Sequence, residues 1–321
     1  MKRKLKLFLA AFLGLLLLLS GCSSKSQEQN TDSTTTTTKT TTPFSIVETN
    51  SINLKNIRGI GYPGNDHALY IAGNDGLKIY KDKKWYKTTT NQHDYIGFQP
   101  IETGFIASGH PQKGTGFKDP FGLIKSVDKG RTLQKLAFYN QANFHFTAAS
   151  YSGNGLYVIG EEQSDSLSLG VNYSTDNGKT WKKSAMQNFD ANSMGMIAVH
   201  PTNGNIIAMS TRTGIYLSTD NGNTMKLITE PIMVTAVTFS GNSILYSSVE
   251  NESILIKIID PLTGKLTNLP IPFLDYENPI TYLAVNQKNT NQLAFSTYNN
   301  DVYESTDGGK TWNNLLSAGK K

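Results

Sequence analysis

Six side chains between His93 and Glu162 are of the types that metal binding or acid–base chemistry requires. His93, His110 and His145, with Asp94, are ligand types for a transition metal. Asp94 paired with Glu161 or Glu162 would supply the two carboxyls that flank a glycosidic bond during hydrolysis. Arg58 and Arg212 carry planar guanidinium forks that match carboxylates. Asp75 and Tyr95 add polar groups in similar sequence settings. The histidine spacing follows no metal-binding motif, so no cofactor is expected, and either chemistry depends on the fold bringing these residues to one face. Nucleophilic catalysis has little support, because no serine lies in a nucleophile-elbow sequence.

Cys22, the only cysteine of the 321 residues, points to a different chemistry. It follows Lys2, Arg3, Lys4 and Lys6, then an apolar run from Leu7 to Leu19 broken only by Gly14. That run is short for a membrane span, and its charged start and small-residue end are those of an export signal. Leu19-Ser20-Gly21-Cys22 resembles a lipobox, where bacterial processing leaves a lipid-modified cysteine as the first mature residue. A lone cysteine cannot form an internal disulfide, and a thioether removes an exposed thiol that would otherwise be reactive. The expectation is a signal peptide over 1–21, a lipid anchor on Cys22, and attachment to the extracytoplasmic face of a bacterial cell membrane.

Removing residues 1–21 also takes four cations and no acid from a chain of 30 Lys+Arg and 25 Asp+Glu, which leaves a net charge near +1. The sequence pI of 9.0 therefore owes much to the signal. With no basic stripe interleaved with aromatics, no nucleic-acid partner is expected. Residues 23–43, SSKSQEQNTDSTTTTTKTTTP, hold no apolar side chain before the composition changes. Such a stretch cannot bury enough surface to offset ordering and reads as a tether over 22–43.

From Phe44 onward, short apolar and β-branched runs alternate with Gly, Asn and Asp turns, an all-β pattern. Within it, STDNGKTW (174–181), STDNGNTM (218–225) and STDGGKTW (305–312) are nearly the same octapeptide, and SVDKGRTL (126–133) keeps its Ser, Asp, Gly and Thr. The starts are separated by 48, 44 and 87 residues, so one copy is missing near 261 and another near 81. Degenerate versions stand there, at Asp260–Lys265 and Tyr80–Trp85. Each unit of about 44 residues reads strand, turn, strand, turn, strand, octapeptide, strand, which is the arithmetic of a β-propeller blade. A single six-bladed propeller over 44–321 is expected, with seven blades the alternative. WNNLL (312–316) should form the outer strand of blade six, and Phe44–Val47 should pack nearby.

The octapeptide is similar to the Asp-box, or BNR, motif of sialidases, sortilin-type receptors and photosystem II assembly-factor propellers. DYIGFQP, ASGHP and NFHF also resemble bacterial lipoprotein propellers labelled glycosyl hydrolase. That family carries a His-rich lead into blade one where this chain has NIRGI, so its histidine site is not carried over. The resemblance implies that the boxes are structural turns: Asp128 and Gly130, Asp176 and Gly178, Asp220 and Gly222, and Asp307 and Gly309. Trp85, Trp181 and Trp312, which follow the turns, should pack between strands. It also implies that ligands bind on the face opposite the boxes.

Naming the strands of each blade A to D from the axis outwards, residues before A and after B lie on that opposite face. These are Arg58, Asp94, Tyr95, His145, Asn192, Glu277 and Asn278 before A. After B come Asn74, Asp75, His110, Glu161, Glu162, Arg212, Glu250 and Asn299. His67 and His200 fall on the box face. The group around blades two and three, covered by the long loop GHPQKGTGFKDPFG, is the expected site. Sialidase chemistry needs three converging arginines, and after residue 21 the chain has only Arg58, Arg131 and Arg212, with Arg131 inside a box. The functional expectation is a monomeric propeller that binds a protein, peptide or glycan of the cell envelope, with a glycoside hydrolase using Asp94, Glu161 and Glu162 as the alternative.

Overall fold

The computed structural model describes residues 43–161 and 167–321. Cys22, the signal, almost all of the tether and Glu162 lie outside the described residues.

The strands follow one another as six antiparallel sheets. Blade one holds β1 (Ile46–Thr49), β2 (Ile57–Gly61), β3 (Leu69–Gly73), β4 (Gly76–Lys81) and β5 (Lys84–Thr88). Blade two holds β6 (Asp94–Ile101), β7 (Gly104–His110), β8 (Leu123–Ser126) and β9 (Gln134–Ala137). Blade three holds β10 (Thr147–Ala149), β11 (Leu156–Gly160), β12 (Gly170–Ser174) and β13 (Lys182–Lys183). Blade four holds β14 (Ile197–Val199), β15 (Ile207–Thr211), β16 (Gly214–Ser218) and β17 (Lys226–Leu227). Blade five holds β18 (Met233–Ser240), β19 (Ser243–Glu250), β20 (Ser253–Ile259) and β21 (Leu266–Leu269). Blade six holds β22 (Ile280–Val285), β23 (Leu293–Thr297), β24 (Val302–Ser305) and β25 (Asn313–Leu316). Within each sheet the strands pair in sequence order, except that β1 of blade one pairs with β5. The fold is a six-bladed β-propeller, and the seven-bladed alternative is excluded.

Burial falls from the inner strands outwards. The B strands LYIAG, LYVIG, IAMST and LAFST are buried at every position, because each is covered by the neighbouring blade on both sides. Period-two alternation is lost there for the same reason that it is lost in any strand buried on both faces. The outer strands β13 and β17 are exposed throughout. WNNLL places β25 outermost in blade six, as expected, and β1 runs antiparallel to β5 as a fifth strand covering the edge of blade one.

The octapeptides form a repeated hydrogen-bond network. In blade three, Ser174 Oγ accepts the Gly178 N–H (2.8 Å) and donates to Asp176 Oδ1 (2.7 Å). Asp176 then accepts the Thr180 N–H (2.9 Å) and hydroxyl (2.7 Å). Asp128 and Asp307 bind their turns in the same way, and Asp220 does so through the Thr224 N–H. These donors hold the Asp176 and Asp307 carboxyls down to about 2. Gly130, Gly222 and Gly309 each donate their N–H to the turn's serine. The two degenerate copies differ. Asp260 caps the Leu262 and Thr263 N–H groups, and blade one makes a two-residue hairpin with Asp82 and Lys83 at φ of 51° and 63°. The tryptophans pack as expected: Trp85 is buried against Tyr80, Trp181 meets Phe138, and Trp312 meets Phe295.

Closure of the ring is made between blades one and six. The Leu54 N–H donates to Gly319 O (2.8 Å), and the Asn300 side chain accepts the Ile57 N–H and donates to Lys55 O. Across the same seam the buried Tyr62 hydroxyl donates to Glu304 Oε1 (3.0 Å). Gly319 has φ of +72°, and a Cβ there would stand 1.9 Å from Leu54 O, so no other residue fits without moving the seam. Gly319→Ala is expected to cost about 1–3 kcal/mol, the range for a strained left-handed residue. Urea denaturation of both proteins checks this; an unchanged midpoint would show that the seam does not carry closure.

Candidate functional site at the channel mouth

Four of the innermost strands carry a β-bulge near the same end of the channel. Arg58 is the extra residue of β2, Gly97 and Phe98 together face one residue of β7, Thr235 is extra in β18, and Thr281 is extra in β22. A bulge re-aims the side chains on either side of it. All five of these residues line one cavity of about 660 Å³, within the range of ligand pockets. Gln99, His145 to Thr147, Asn192 to Ile197, Ser210 to Arg212, Met233, Val234 and Pro279 to Tyr282 complete its wall. These are the segments leading into A strands together with the B–C turn of blade four. The A–B turns lie on the other face. There the Asn65 side chain donates to Thr103 O and Val127 O (2.8 Å each), and Asp66 pairs with Lys81 and Lys129. His200, also in an A–B turn, bonds Asn242.

On the octapeptide side lies a second, smaller space of about 60 Å³ that shares Phe98, Gln99, Met196, Ile197 and Tyr282 with the mouth cavity. Burial raises the Tyr282 hydroxyl pKa, while the Arg58 charge opposes that shift.

Three of the expected ligand residues line the cavity: Arg58, His145 and Arg212. Two more are attached to it. Asp94 receives both Nε (3.1 Å) and Nη2 (3.2 Å) of Arg58, and Glu161 Oε1 lies 3.1 Å from His145 Nδ1. The remaining candidates are elsewhere. Tyr95 is not a ligand residue: it is 0% exposed and wedged with Leu77 and Phe105 between blades one and two, and its hydroxyl lies beside Gly130. Asp75 pairs with Lys78 (3.0 Å) in the B–C turn of blade one, off the cavity wall. His110 is held at Nδ1 by Asp119 (2.6 Å) and at Nε2 by the Asn143 amide (3.2 Å), also off the wall.

The three histidines do not converge. His93 is 0% exposed, edge-on to Tyr95, Phe117 and Phe121, and its Nδ1 accepts the Gln112 N–H (2.9 Å). It is a core residue that pins the long loop of blade two. That loop folds back over its own blade, with Phe121 buried and the Lys118 N–H donating to Tyr139 Oη, and contributes nothing to the cavity wall. Among the described residues no group of three or more His, Cys, Asp or Glu is placed to hold a metal ion.

Residue-type reasoning passed over the methionines. Met194, Met196 and Met233 line the cavity, and Met194 and Met233 stay 42% and 46% exposed. Met194 lies two residues after Asn192, in a segment already assigned to this face, which was the available signal.

No family model matches the chain, and no curated protein matches it in sequence. Solved structures share its fold. A GH74 enzyme from Niastella koreensis superposes with a TM-score of 0.53 at 19% identity, covering 83% of this chain and 46% of its own. The GH74 xyloglucanase from Xanthomonas campestris gives 0.52 at 18% identity, covering 86% and 47%. A chain of a nidogen/laminin complex gives 0.54 at 9% identity, covering 78% and 93%. This chain thus spans about half the length of the two GH74 proteins. Two glycosidases and a member of a protein–protein complex share one scaffold, so the fold leaves activity open.

Burial pushes the His93 pKa down to about 4 from its ordinary 6.5. Below pH 6.5 the unfolded chain takes up a proton that the folded chain refuses. Stability is therefore full above pH 6.5, falls towards pH 4 by up to about 3 kcal/mol, and then levels. Urea midpoints measured from pH 7 to pH 4 should show this fall in the wild type and lose most of it in His93→Gln, which keeps an acceptor that does not titrate. The same slope in both proteins would contradict the assignment.

Proposed function

We propose that the protein is a lipid-anchored propeller on the extracytoplasmic face of a bacterial membrane. In this reading it binds a protein, peptide or glycan of the cell envelope through the channel mouth. The observation that carries the reading is the cavity: bulged inner strands aim side chains into a space of ligand size, on the face that the turn networks leave free. Cys22 supplies the anchor and the residues after it the tether, and the four hydrogen-bonded octapeptides are read as Asp-boxes.

Hydrolysis is the weaker reading. Its carboxylates are Asp94, engaged by the Arg58 fork, and Glu161, engaged by His145, and among the described residues no carboxylate belongs to the cavity wall. Glu162, the third candidate, is outside the described residues.

The test is affinity capture from envelope extracts with the full chain as bait. The double variant Asn192→Trp with Met194→Trp, which fills the mouth, should lose at least tenfold of a partner that the turn-face variant Lys179→Trp retains. Equal capture by the mouth-filling and turn-face variants would move the site off this face. Turnover of an envelope glycan that Glu161→Gln abolishes would replace the binding reading with the hydrolase.

A further inference from the structure

Among the described residues the permanently charged side chains of the cavity wall are Arg58 and Arg212, and no Asp or Glu belongs to it. Arg58 and His145 are already engaged by Asp94 and Glu161. The Arg212 guanidinium has no ion-pair partner among the described residues. Its backbone N–H donates to Ser193 Oγ (3.1 Å), which ties the turn carrying it to the opposing loop. The side chain itself is exposed, and a guanidinium fork at a pocket without a carboxylate partner is suited to receive one bidentately.

Two further features narrow the ligand. The cavity, at about 660 Å³, has the size of a small-ligand pocket, so what enters it is a short end of a larger partner. The wall that faces it is apolar and adaptable, with Met194, Met196 and Met233 supplying flexible thioether chains. Methionine surfaces of this kind accommodate varied apolar side chains. A sugar is matched less well: Phe98 is only 2% exposed, which removes one of the few rings that could stack on it.

Resting on the binding reading above, we infer that the cavity takes the free carboxyl end of a polypeptide whose last residue is apolar. The terminal carboxylate pairs with Arg212, and the last side chain lodges against Met194, Met196 and Met233. Capture of a chain terminus by its carboxylate is an established recognition mode. It is reached here through a side-chain guanidinium. Arg212 acts as the specificity-determining residue, since it separates a free terminus from an internal segment of the same sequence.

The probe is a set of hexapeptides ending in Leu, Met, Val or Asp, each made as the free acid and as the C-terminal amide. Binding to the full chain is measured by fluorescence anisotropy. The free acids ending in Leu, Met or Val should bind. Amidation, or Arg212→Met, should each weaken them about ten- to hundredfold, as expected for one charge-assisted pair, and the two losses should not add. Arg131→Met, which alters an arginine on the octapeptide turn over Phe44 and away from the cavity, should change nothing. Thermal melting confirms that each variant is folded. Equal affinity for acids and amides, or an unchanged acid preference in Arg212→Met, would overturn the inference while leaving peptide binding intact. Failure of every peptide at millimolar concentration would overturn it too. The capture experiment then decides separately whether the cavity binds something else, because a partner lost on filling the mouth would keep the binding reading alone.

Discussion

A blade of four strands has two apolar faces and can cover them only with its neighbours, so every blade depends on the ring being closed. The structure has no central core. It has six, one in each seam. Ile60, Ile71 and Trp85 meet Ala284, Ala294 and Val302 between blades one and six, and comparable clusters fill the other five seams. Loss of one seam would expose two sheet faces at once. This is why the segment leading into β2 is tied to the one after β25 at Leu54 and Gly319, and why β1 covers the edge of blade one.

Closure also divides the labour between the two faces. On one face, the octapeptide and A–B turns spend their polar groups on each other, as in the Asn65 and Asp66 contacts that join blades one and two. On the other face the inner strands break their register. Bulges at Arg58, Thr235 and Thr281 turn side chains into the channel instead of pairing them across the sheet. Ladder regularity is given up where a ligand site is being built, and the polar groups left over there are the ones available for recognition.

Much of this was legible in the sequence, because the repeat has a period and the octapeptide has a mechanism. Ser, Asp, Gly and Thr at fixed offsets satisfy one another locally, so blade count and outer strand followed from spacing, while the choice of ligand face came from the resemblance. What failed were inferences about single side chains from strand position alone. Tyr95 and His93 stand at the start of a strand and read as mouth residues, but Tyr95 packs on Phe105 of the next strand, and the rings that bury His93, Phe117 and Phe121, come from a loop about 25 residues further on. The same loop was expected over the mouth, yet its two phenylalanines draw it back onto blade two. Met194 and Met233 were missed for the opposite reason, since an apolar residue reads as core until the channel is seen. Arg58 and Arg212 were legible as residues of one face, but the bulges have no pattern in composition, so which residues of that face line the cavity could not be read.

The central claim is that recognition takes place at the channel mouth and that the conspicuous repeats are architecture. Hydrogen–deuterium exchange of the full chain, with and without a partner captured from envelope extract, tests it most directly. The account predicts added protection in 192–197, 210–212 and 233–235, with the octapeptides at 174–181 and 218–225 unchanged. Protection confined to the octapeptide turns, with the mouth segments exchanging as before, would contradict it.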